Sequence, residues 1–479
     1  MKTSIVWMRQ DLRLTDNPAL YYAKQNSDVV IPVYIHAPQE AAPWSPGAAS
    51  NWWRHHSLTA LDHDLRKRNS QLLIRLGPSI DALLKLIAES GATEIYWNRV
   101  YEPQLLKRDQ QIKQALQQQG IEVHEYDSGL LYKPGSVLTK EQKPYRVFTR
   151  FWFSCQQLGL GEPPLPAPQT LSPLKLASEN IDSLELLPRI PWDHGLKQTW
   201  QPGEANAFER LQAFCDTALE TYDNSRDFPG QTGTSLLSPH LAFGEISPRQ
   251  AVTAVLNAFV TNTSPNSSRS AERFIQELGW REFAYHTLYH FPHITDEPLN
   301  PRFQHFPWQH DERLLNAWQE GKTGFPIIDA GMRQLWQTGW MHNRVRMIVA
   351  SFLTKNGLIS WQQGARWFWD TLVDADLASN SFNWQWVAGC GADAAPYFRI
   401  FNPVRQSEKF DPNALYLSQW LPELASLPSR WLHTPWLAPA EVQLTSHVRI
   451  GRDYPSPILD LSNTRKRALN LSKQLSAMG

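Results

Sequence analysis

The residues best suited to chemistry lie between Thr323 and Pro412, where tryptophans stand beside asparagines, arginines and paired aspartates. From Gly339 to Trp369 this stretch has four basic residues and no carboxylate. Three aspartates then follow, at positions 370, 374 and 376. Guanidinium groups bind anions, and indole rings stack on flat ligands. The composition therefore predicts a polar site that holds an anionic, aromatic ligand.

Asp374 and Asp376 bracket one residue, a spacing found in metal loops and in ribose-binding sites. No glutamate follows at the spacing of a calcium-binding loop, and no Cys/His cluster has zinc spacing. We therefore expect no metal site. Two interpretations stay open: the carboxylates accept hydrogen bonds from ribose hydroxyls, or they pair with Arg346.

Two glycine-containing segments could bind phosphate. The loop 233–238 (GTSLLS) offers hydroxyls and backbone N–H groups ahead of a helix, although simple N-capping explains it equally well. The segment 389–394 (GCGADA) matches part of a dinucleotide-binding fingerprint, but it follows a Trp-rich helical stretch rather than a strand. We interpret the second segment as a chance match.

Two predicted helices also carry candidate groups. Glu277, Trp280 and Arg281 share one helix face, either as a surface ion pair beside an indole or as a cavity wall. Asn343 and Met347 share a face of a later helix and are flanked by two arginines. Core packing with solvated arginines is the alternative for that second helix.

The elements that position these groups fall into two parts. Residues 1–130 alternate apolar strands with amphipathic helices, which is typical of an α/β doubly wound parallel sheet. The strands are predicted at 3–8, 28–35, 71–75, 93–97 and 121–125. The helices are predicted at 79–90, at 104–118 and after an N-cap at Ser57. No Gly-x-Gly-x-x-Gly follows the first strand, so we expect no ordinary dinucleotide site there.

The rest of the chain is predicted to be a connector over 131–202, rich in Pro at 161–173, and an all-α helical domain over 203–479. Proline and glycine mark the joints of that domain. Its helices are predicted at 205–220, 248–261, 269–288, 312–320, 327–337, 341–355, 362–372 and 415–423.

The bulk properties of the 479 residues favour a soluble, cytoplasmic protein. The formal net charge is zero, so any nucleic-acid signal must be local. The three cysteines are far apart, which argues against disulfides, and no signal peptide or membrane span is evident. Tryptophan is abundant, with 21 copies. Such density fits core packing, and it also fits base stacking or redox work.

Taken together, these stretches resemble the photolyase/cryptochrome family, and within it the bacterial class I cyclobutane pyrimidine dimer (CPD) photolyases. The resemblance runs from VWMRQDLRLTDNPAL (6–20) to DYPSPILDL (453–461) and is densest over 323–412. It implies a light-dependent DNA repair enzyme, a carbon–carbon lyase, that binds FAD in its helical domain. It also implies a monomer whose partner is UV-damaged DNA.

The resemblance assigns the FAD contacts by residue. Around the phosphates it places Tyr222, Thr234, Ser235, Leu236, Leu237 and Ser238. Along the ribityl, adenine and isoalloxazine it places Phe274, Glu277, Arg281, Asn343, Arg346, Asp374, Asp376 and Asn380. Asn380 matches the residue that faces flavin N5.

The resemblance also assigns the residues that contact the lesion and the residues that carry electrons. The flipped dimer would contact Arg226, Glu277, Trp280, Asn343, Arg344, Met347, Trp386, Arg399 and Gln406. Reduced FAD, excited by blue or near-UV light, would give the dimer one electron, and the electron would return after the ring opens. The chain that reduces oxidised flavin would be Trp384, Trp361 and Trp308.

Particular residues refine the subtype. Asn343 and Met347 stand where six-four photolyases and animal cryptochromes carry His, and Trp386 stands where single-strand-preferring cryptochromes have Tyr. Gln104 and Leu105 stand where folate-binding members have Asn and Glu. That departure disfavours a methenyltetrahydrofolate antenna and leaves a deazaflavin, another flavin or no antenna open. A blue-light receptor of the cryptochrome type is the alternative function, and an FAD or nucleic-acid binding module is a third.

Overall fold

The computed structural model describes residues 1–172, 174–261, 265–394 and 398–477. Within these ranges the chain forms five β-strands and 21 α-helices. Residues 395–397, which precede the predicted DNA contact Arg399, lie outside these ranges. In the described part of the chain, no helix combines the length and hydrophobicity that a membrane span requires.

The strands form one parallel sheet in the order β3-β2-β1-β4-β5. Its helices are α1 to α4. The strand order reverses between β1 and β4. Doubly wound folds bind ligands at such a reversal, beside the carboxyl ends of the strands. The strands are β1 (Thr3–Met8), β2 (Val29–His36), β3 (Leu73–Leu76), β4 (Glu94–Asn98) and β5 (Glu122–Tyr126). The helices are α1 (Pro18–Asn26), α2 (Ala48–Arg66), α3 (Ser79–Ser90) and α4 (Pro103–Gln118).

Local sequence explains these limits. The Asn17 side chain accepts a hydrogen bond from the backbone N–H of Leu20 and so caps α1, with Pro18 at its first position. Gly91 ends α3 in the left-handed conformation, at φ 66°. Strands β1, β2 and β4 are almost continuously apolar and buried because helices cover the sheet.

The remaining helices begin with two in the predicted connector, α5 (Phe148–Leu158) and α6 (His194–Thr199). The next group is α7 (Glu204–Thr217), α8 (Tyr222–Ser225), α9 (Ser238–Ala242), α10 (Pro248–Thr261), α11 (Pro265–His290), α12 (Glu312–Gln319), α13 (Pro326–Thr338) and α14 (Asn343–Ser351). A π-helical turn, Phe352–Asn356, follows α14. The last group is α15 (Trp361–Thr371), α16 (Leu377–Ala388), α17 (Pro403–Phe410), α18 (Leu415–Trp420), α19 (Ser429–Leu432), α20 (Ala440–Thr445) and α21 (Leu461–Ala477).

The chain divides into two compact units. The first unit contains residues 1–220, 235–292 and 373–378, and the second contains residues 221–234, 293–372 and 379–479. These units cut across the predicted domains, whose limits at residues 130 and 203 stay predictions.

The predicted fold class, an α/β parallel sheet followed by a helical part, is confirmed. One helix start was wrong: α2 begins at Ala48, and Ser57 lies buried in its interior instead of capping it. Leu58, Leu61 and Leu65 lie on the buried face of α2, but no sequence signal marks its start, because α2 begins after Gly47 without a side-chain cap. The helix α16 was not delimited from sequence, since aspartates, serines and asparagines interrupt its apolar pattern.

Candidate functional site

Helix α11 in the first unit carries Phe274, Glu277, Trp280 and Arg281. One face of the Trp280 indole stacks on Phe148 of α5, with ring centroids 3.7 Å apart and planes at 11°. The ring remains half-buried. A Cβ added at Gly279 would lie 2.6 Å from the Trp152 ring, so glycine at that position lets α5 and α11 approach closely. The packing of α5 therefore fixes the plane in which Trp280 is presented.

Arg281 and Asp376 meet in a polar cluster of the same unit. An Arg281 Nη2 lies 3.9 Å from the Asp376 carboxylate, and Arg281 Nη1 donates to the Gly129 carbonyl at 2.6 Å. The Tyr285 hydroxyl donates to Asp376 at 2.5 Å, and its ring lies 4.8 Å from the Arg281 guanidinium. Burial and the neighbouring Asp376 carboxylate raise the pKa of Tyr285. Tyr285 stays a neutral donor and orients one of the two predicted carboxylates.

Glu282 is buried beside this cluster and anchors the start of the connector. Its carboxylate accepts hydrogen bonds from the backbone N–H groups of Leu131 and Tyr132, at 3.0 and 3.1 Å. Burial raises the pKa of Glu282 to about 7. Sequence reasoning missed Glu282 because a carboxylate beside Arg281 is expected on a helix surface.

Glu277 lies on the same helix, with an oxygen 3.7 Å from Nε of Arg273. Both side chains are partly exposed, at 27% and 41%. Phe274 is buried against Phe214 of α7, with ring centroids 5.0 Å apart. Glu277 is therefore accessible to a ligand, whereas Phe274 closes the packing behind it.

Helix α16 belongs to the second unit from residue 379 onward and carries Asn380, Trp384 and Trp386. Residues two apart on a helix point about 200° apart. Accordingly Trp384 is 3% exposed, whereas Trp386 is half-buried. The Asn380 amide donates to the Ala365 carbonyl of α15 at 3.0 Å. The two tryptophans of the predicted Trp-Gln-Trp triplet therefore lie in different surroundings, and their separate roles stay predictions.

Gln385, between those tryptophans, holds α16 in place. Its amide donates to the carbonyls of Ile294 and Glu297 at 2.8 Å each, and its carbonyl accepts the N–H of Leu299 at 2.8 Å. The side chain is 1% exposed. Sequence reasoning missed this residue, because a glutamine between two tryptophans gives no periodic signal.

The environment of Trp384 is tightly packed. Its ring lies 5.0 Å from Phe368 and 6.2 Å from Trp318, and a Cβ at Gly364 would collide with it. Trp361 is buried, and the half-buried Trp308 ring lies 4.4 Å from Phe306. Between the three predicted electron carriers the structure shows no direct ring contact in the part of the chain that it describes. Their electron chain stays a prediction.

Helix α14, also in the second unit, opens with Asn343, which is exposed, and places the partly buried Met347 one turn later. Arg344 donates to the Asp227 carboxylate at 2.7 Å and lies 4.4 Å over the Phe410 ring. Arg346 donates from Nε to the Met341 carbonyl at 2.7 Å. The Arg344 charge is thus partly neutralised within the protein.

Other predicted DNA contacts of this unit lie apart in sequence. The Arg226 guanidinium lies 5.5 Å over the buried Tyr222 ring. Arg399 is exposed, and Gln406 of α17 is half-buried. Arg226 and Tyr222 are thus brought together, whereas the roles of Arg399 and Gln406 stay predictions.

The loop that was predicted to bind phosphate spans the boundary between the units. Thr234 ends a segment of the second unit, and Ser235 begins a segment of the first. Ser235 Oγ accepts the N–H of Leu237 at 3.4 Å, and Leu236 has a positive φ of 53°. Ser238 is the first residue of α9. No side chain caps the N-terminus of the described helix α9, whose N-cap residue is Leu237. The alternative that this loop serves only as a helix cap is therefore not supported.

Two family models match the chain. One, described as DNA photolyase, covers residues 4–169, and the other, the FAD binding domain of DNA photolyase, covers residues 274–474. The deoxyribodipyrimidine photo-lyase of Agrobacterium fabrum is 47% identical over 470 residues, which is 97% of this chain and 96% of that protein. The chain belongs to the DNA photolyase family.

Other relatives include a protein named as a cryptochrome and a solved structure of a photolyase. Cryptochrome-2 of Arabidopsis thaliana is 39% identical over 100% of this chain and 80% of its own length. The crystal structure of a bacterial class III photolyase from Agrobacterium tumefaciens matches with a TM-score of 0.95 and 45% identity, covering 100% of this chain and 98% of that one. The predicted photolyase fold, photolyase-type enzyme and FAD-binding domain are confirmed.

The photolyase match also bears on the candidate residues. Helices α12 to α16 and most of α11 lie within the range of the FAD-binding model, and so do most predicted FAD and lesion contacts. Tyr222, Arg226 and the loop 233–238 lie between the two matched ranges. Their roles rest on the residue resemblance alone.

Proposed function

We propose that this photolyase-family chain is a light-dependent repair enzyme that splits cyclobutane pyrimidine dimers in DNA. One observation carries the proposal: Glu277, Trp280, Asn343, Met347 and Trp386 occur together in a chain that aligns along almost its whole length with a deoxyribodipyrimidine photo-lyase. Of the functions considered, only dimer repair needs all five side chains. None of the five is fully buried, so each is accessible to a ligand.

The donor and acceptor groups fit FAD. Hydroxyls and backbone N–H groups of the loop 233–238 suit a pyrophosphate, and the Asp374 and Asp376 carboxylates suit sugar hydroxyls. The cationic Arg281 is held beside Asp376 and suits an anionic flavin. Asn380 would lie against flavin N5. Bound, reduced FAD supplies one electron to the dimer when it absorbs blue or near-UV light.

In this proposal the protein side chains bind and orient the lesion. Trp280 and Trp386 stack on its two sides, with about 1–3 kcal/mol per base. The Glu277 carboxylate accepts and the Asn343 amide donates or accepts hydrogen bonds at the pyrimidine edges, and Met347 packs on the ring. Flipping the dimer out of the duplex costs a few kcal/mol, less than for an intact pair because a damaged base stacks poorly.

We further propose the electron chain Trp384, Trp361 and Trp308 for reactivation of oxidised flavin. Trp384 and Trp361 are buried, and Trp308 is the most exposed of the three. That order of exposure suits a path from the protein interior to solvent. The enzyme is proposed to act as a monomer in the cytosol, at the nucleoid.

The subtype and the antenna are separate proposals. The sequence resemblance favoured class I, whereas the match to a class III photolyase at TM-score 0.95 favours class III, which we adopt here. A second, light-harvesting chromophore is proposed for the sheet domain. Gln104 and Leu105 lie in the first turn of α4, where their uncharged side chains disfavour methenyltetrahydrofolate and leave a deazaflavin as the stronger candidate. Extraction and absorption spectroscopy of the bound chromophores would identify it.

A blue-light receptor of the cryptochrome type is the second candidate, favoured by the 39% identity to a plant cryptochrome. The decisive experiment incubates the reduced protein with an oligonucleotide that carries one thymine dimer. Blue light should restore monomeric thymines, and a dark sample should not. Bound, reduced FAD without repair in the light would exclude the lyase and favour the receptor.

A further inference from the structure

A basic cleft of about 700 Å³ lies in the predicted connector, outside every candidate residue above. The segment that leads into α5 forms one wall, and Phe291, just after α11, forms another. The charged residues that line it are Lys140, Glu141, Lys143, Arg146 and Arg150. All of these residues and Phe291 belong to the first unit.

The charge of this cleft is unbalanced. Four cationic side chains and one carboxylate give a local net charge of +3, in a chain whose formal net charge is zero. The carboxylate, Glu141, is already paired with Lys143 at 3.1 Å. All five charged side chains are exposed. Clustered cations of this kind attract polyanions, because every contact with a phosphate releases a condensed counterion.

The aromatic residue Phe291 lines the cleft, and two further phenylalanines lie close to its arginines in sequence. The Arg146 guanidinium lies 5.1 Å over the Phe291 ring, which restricts the orientation of its charge. Phe148, between the two arginines in sequence, stacks on Trp280 at 3.7 Å. Phe153 is 63% exposed, less than one helical turn after Arg150. Cationic and aromatic side chains are therefore interleaved from the cleft to the proposed lesion-binding tryptophan.

We propose that this cleft binds the phosphodiester backbone of the DNA strand that flanks the lesion. The inference rests on the proposed function, and it extends the DNA contact from the lesion side chains to the connector. Phosphate contacts position a duplex but do not read the base. The cleft therefore strengthens binding to damaged and undamaged DNA equally, while Trp280 and Trp386 supply the preference for the lesion.

The test compares two triple variants of the full-length, FAD-loaded protein. Lys140→Gln/Arg146→Gln/Arg150→Gln removes cleft charge and leaves the Lys143 pair with Glu141. The control, Lys85→Gln/Lys107→Gln/Lys175→Gln, removes the same charge from exposed lysines that do not line the cleft. Dissociation constants are measured by fluorescence anisotropy for a thymine-dimer duplex and its undamaged counterpart, from low to moderate salt.

The cleft variant should bind both duplexes about tenfold more weakly or worse at low salt, and its salt slope should fall by about 2 to 3. The control should bind as the wild type does. Glu141→Gln should change affinity in the opposite direction. Equal affinities of the cleft variant and the control would overturn the cleft assignment. A wild type that neither binds nor repairs damaged DNA would instead overturn the proposed function.

Discussion

Helices α11 and α16 each carry tryptophans with proposed roles, yet different forces hold the two helices. On α11, the half-buried Trp280 is fixed by ring stacking on Phe148, and a charged cluster with Arg281 lies one residue further along the helix. On α16, Trp384 is buried, and the neutral Gln385 fixes the helix through three hydrogen bonds to the backbone. The stability contributed by α11, with its charged cluster, should therefore depend on pH. The stability contributed by α16, with its neutral anchor, should depend mainly on the hydrogen bonds of Gln385.

The largest effect is expected at Gln385→Ala. The substitution leaves two carbonyls and one N–H without their partner. One carbonyl is buried and the other two groups are partly buried, and an unsatisfied buried group costs about 1–3 kcal/mol. We expect a loss of about 3–5 kcal/mol in the free energy of unfolding, measured by urea denaturation. Asn383→Ala on the same helix is the control, because that exposed side chain makes one bond, to the Ser379 carbonyl. The anchoring role of Gln385 is wrong if both variants unfold alike.

The second prediction concerns the pH response of α11. The pKa of Glu282 is about 7 in the folded protein, above its ordinary 4.5. The stabilising contribution of the protonated carboxyl is therefore complete below pH 4.5 and is lost as the pH rises through 7. Between pH 5 and 8 the wild type should lose about 2.5 kcal/mol of stability that Glu282→Gln does not lose.

Thermal or urea unfolding at several pH values checks this prediction. Glu162→Gln, an exposed carboxyl of the connector, is the control and should follow the wild-type profile. Parallel profiles for all three proteins would show that Glu282 does not titrate in this range. In that case the contrast between the charged and the neutral helix would lose its main support.

The sequence predicted the sheet and most helices, because apolar periodicity, proline and glycine set their limits. The family resemblance gave Trp384 and Trp386 different roles, although the helix that turns them to different sides was not predicted. Sequence reasoning could not find Glu282 or Gln385. Both act on backbone groups more than 80 residues away in sequence, and no local pattern encodes such partners. The cleft charges were visible in sequence but fell in a segment interpreted as a connector.

The third prediction uses the exposed surface of α11. Trp280→Ala should weaken binding of a thymine-dimer duplex by about 1–3 kcal/mol, or roughly 5- to 150-fold, because one stacking face is lost. Affinity for undamaged duplex should change little. The control is Trp336→Ala on α13, a 63% exposed indole with no assigned role. Fluorescence anisotropy titrations measure the dissociation constants of both variants for the damaged and the undamaged duplex. Equal losses for damaged and undamaged DNA would mean that Trp280 supports α5 rather than the lesion.

The smallest effect is expected at Asp227→Asn. Asp227 holds Arg344 at 2.7 Å, and the two side chains are 38% and 21% exposed. An ion pair this accessible contributes less than about 1 kcal/mol. If Arg344 also contacts DNA phosphate, neutralising Asp227 should free its charge and tighten DNA binding by about two- to fivefold at low salt.

Asp216→Asn on α7 removes the same charge from an exposed carboxylate that accepts a hydrogen bond from Gln212. It should leave the affinity near that of the wild type. Weaker binding by Asp227→Asn would show that the ion pair orients α14 for the DNA, so that Arg344 acts through position rather than charge. Tighter binding would show that Arg344 contacts DNA phosphate, the role proposed for the cleft arginines. The direction of this small change in affinity therefore decides whether Arg344 orients α14 or contacts DNA phosphate.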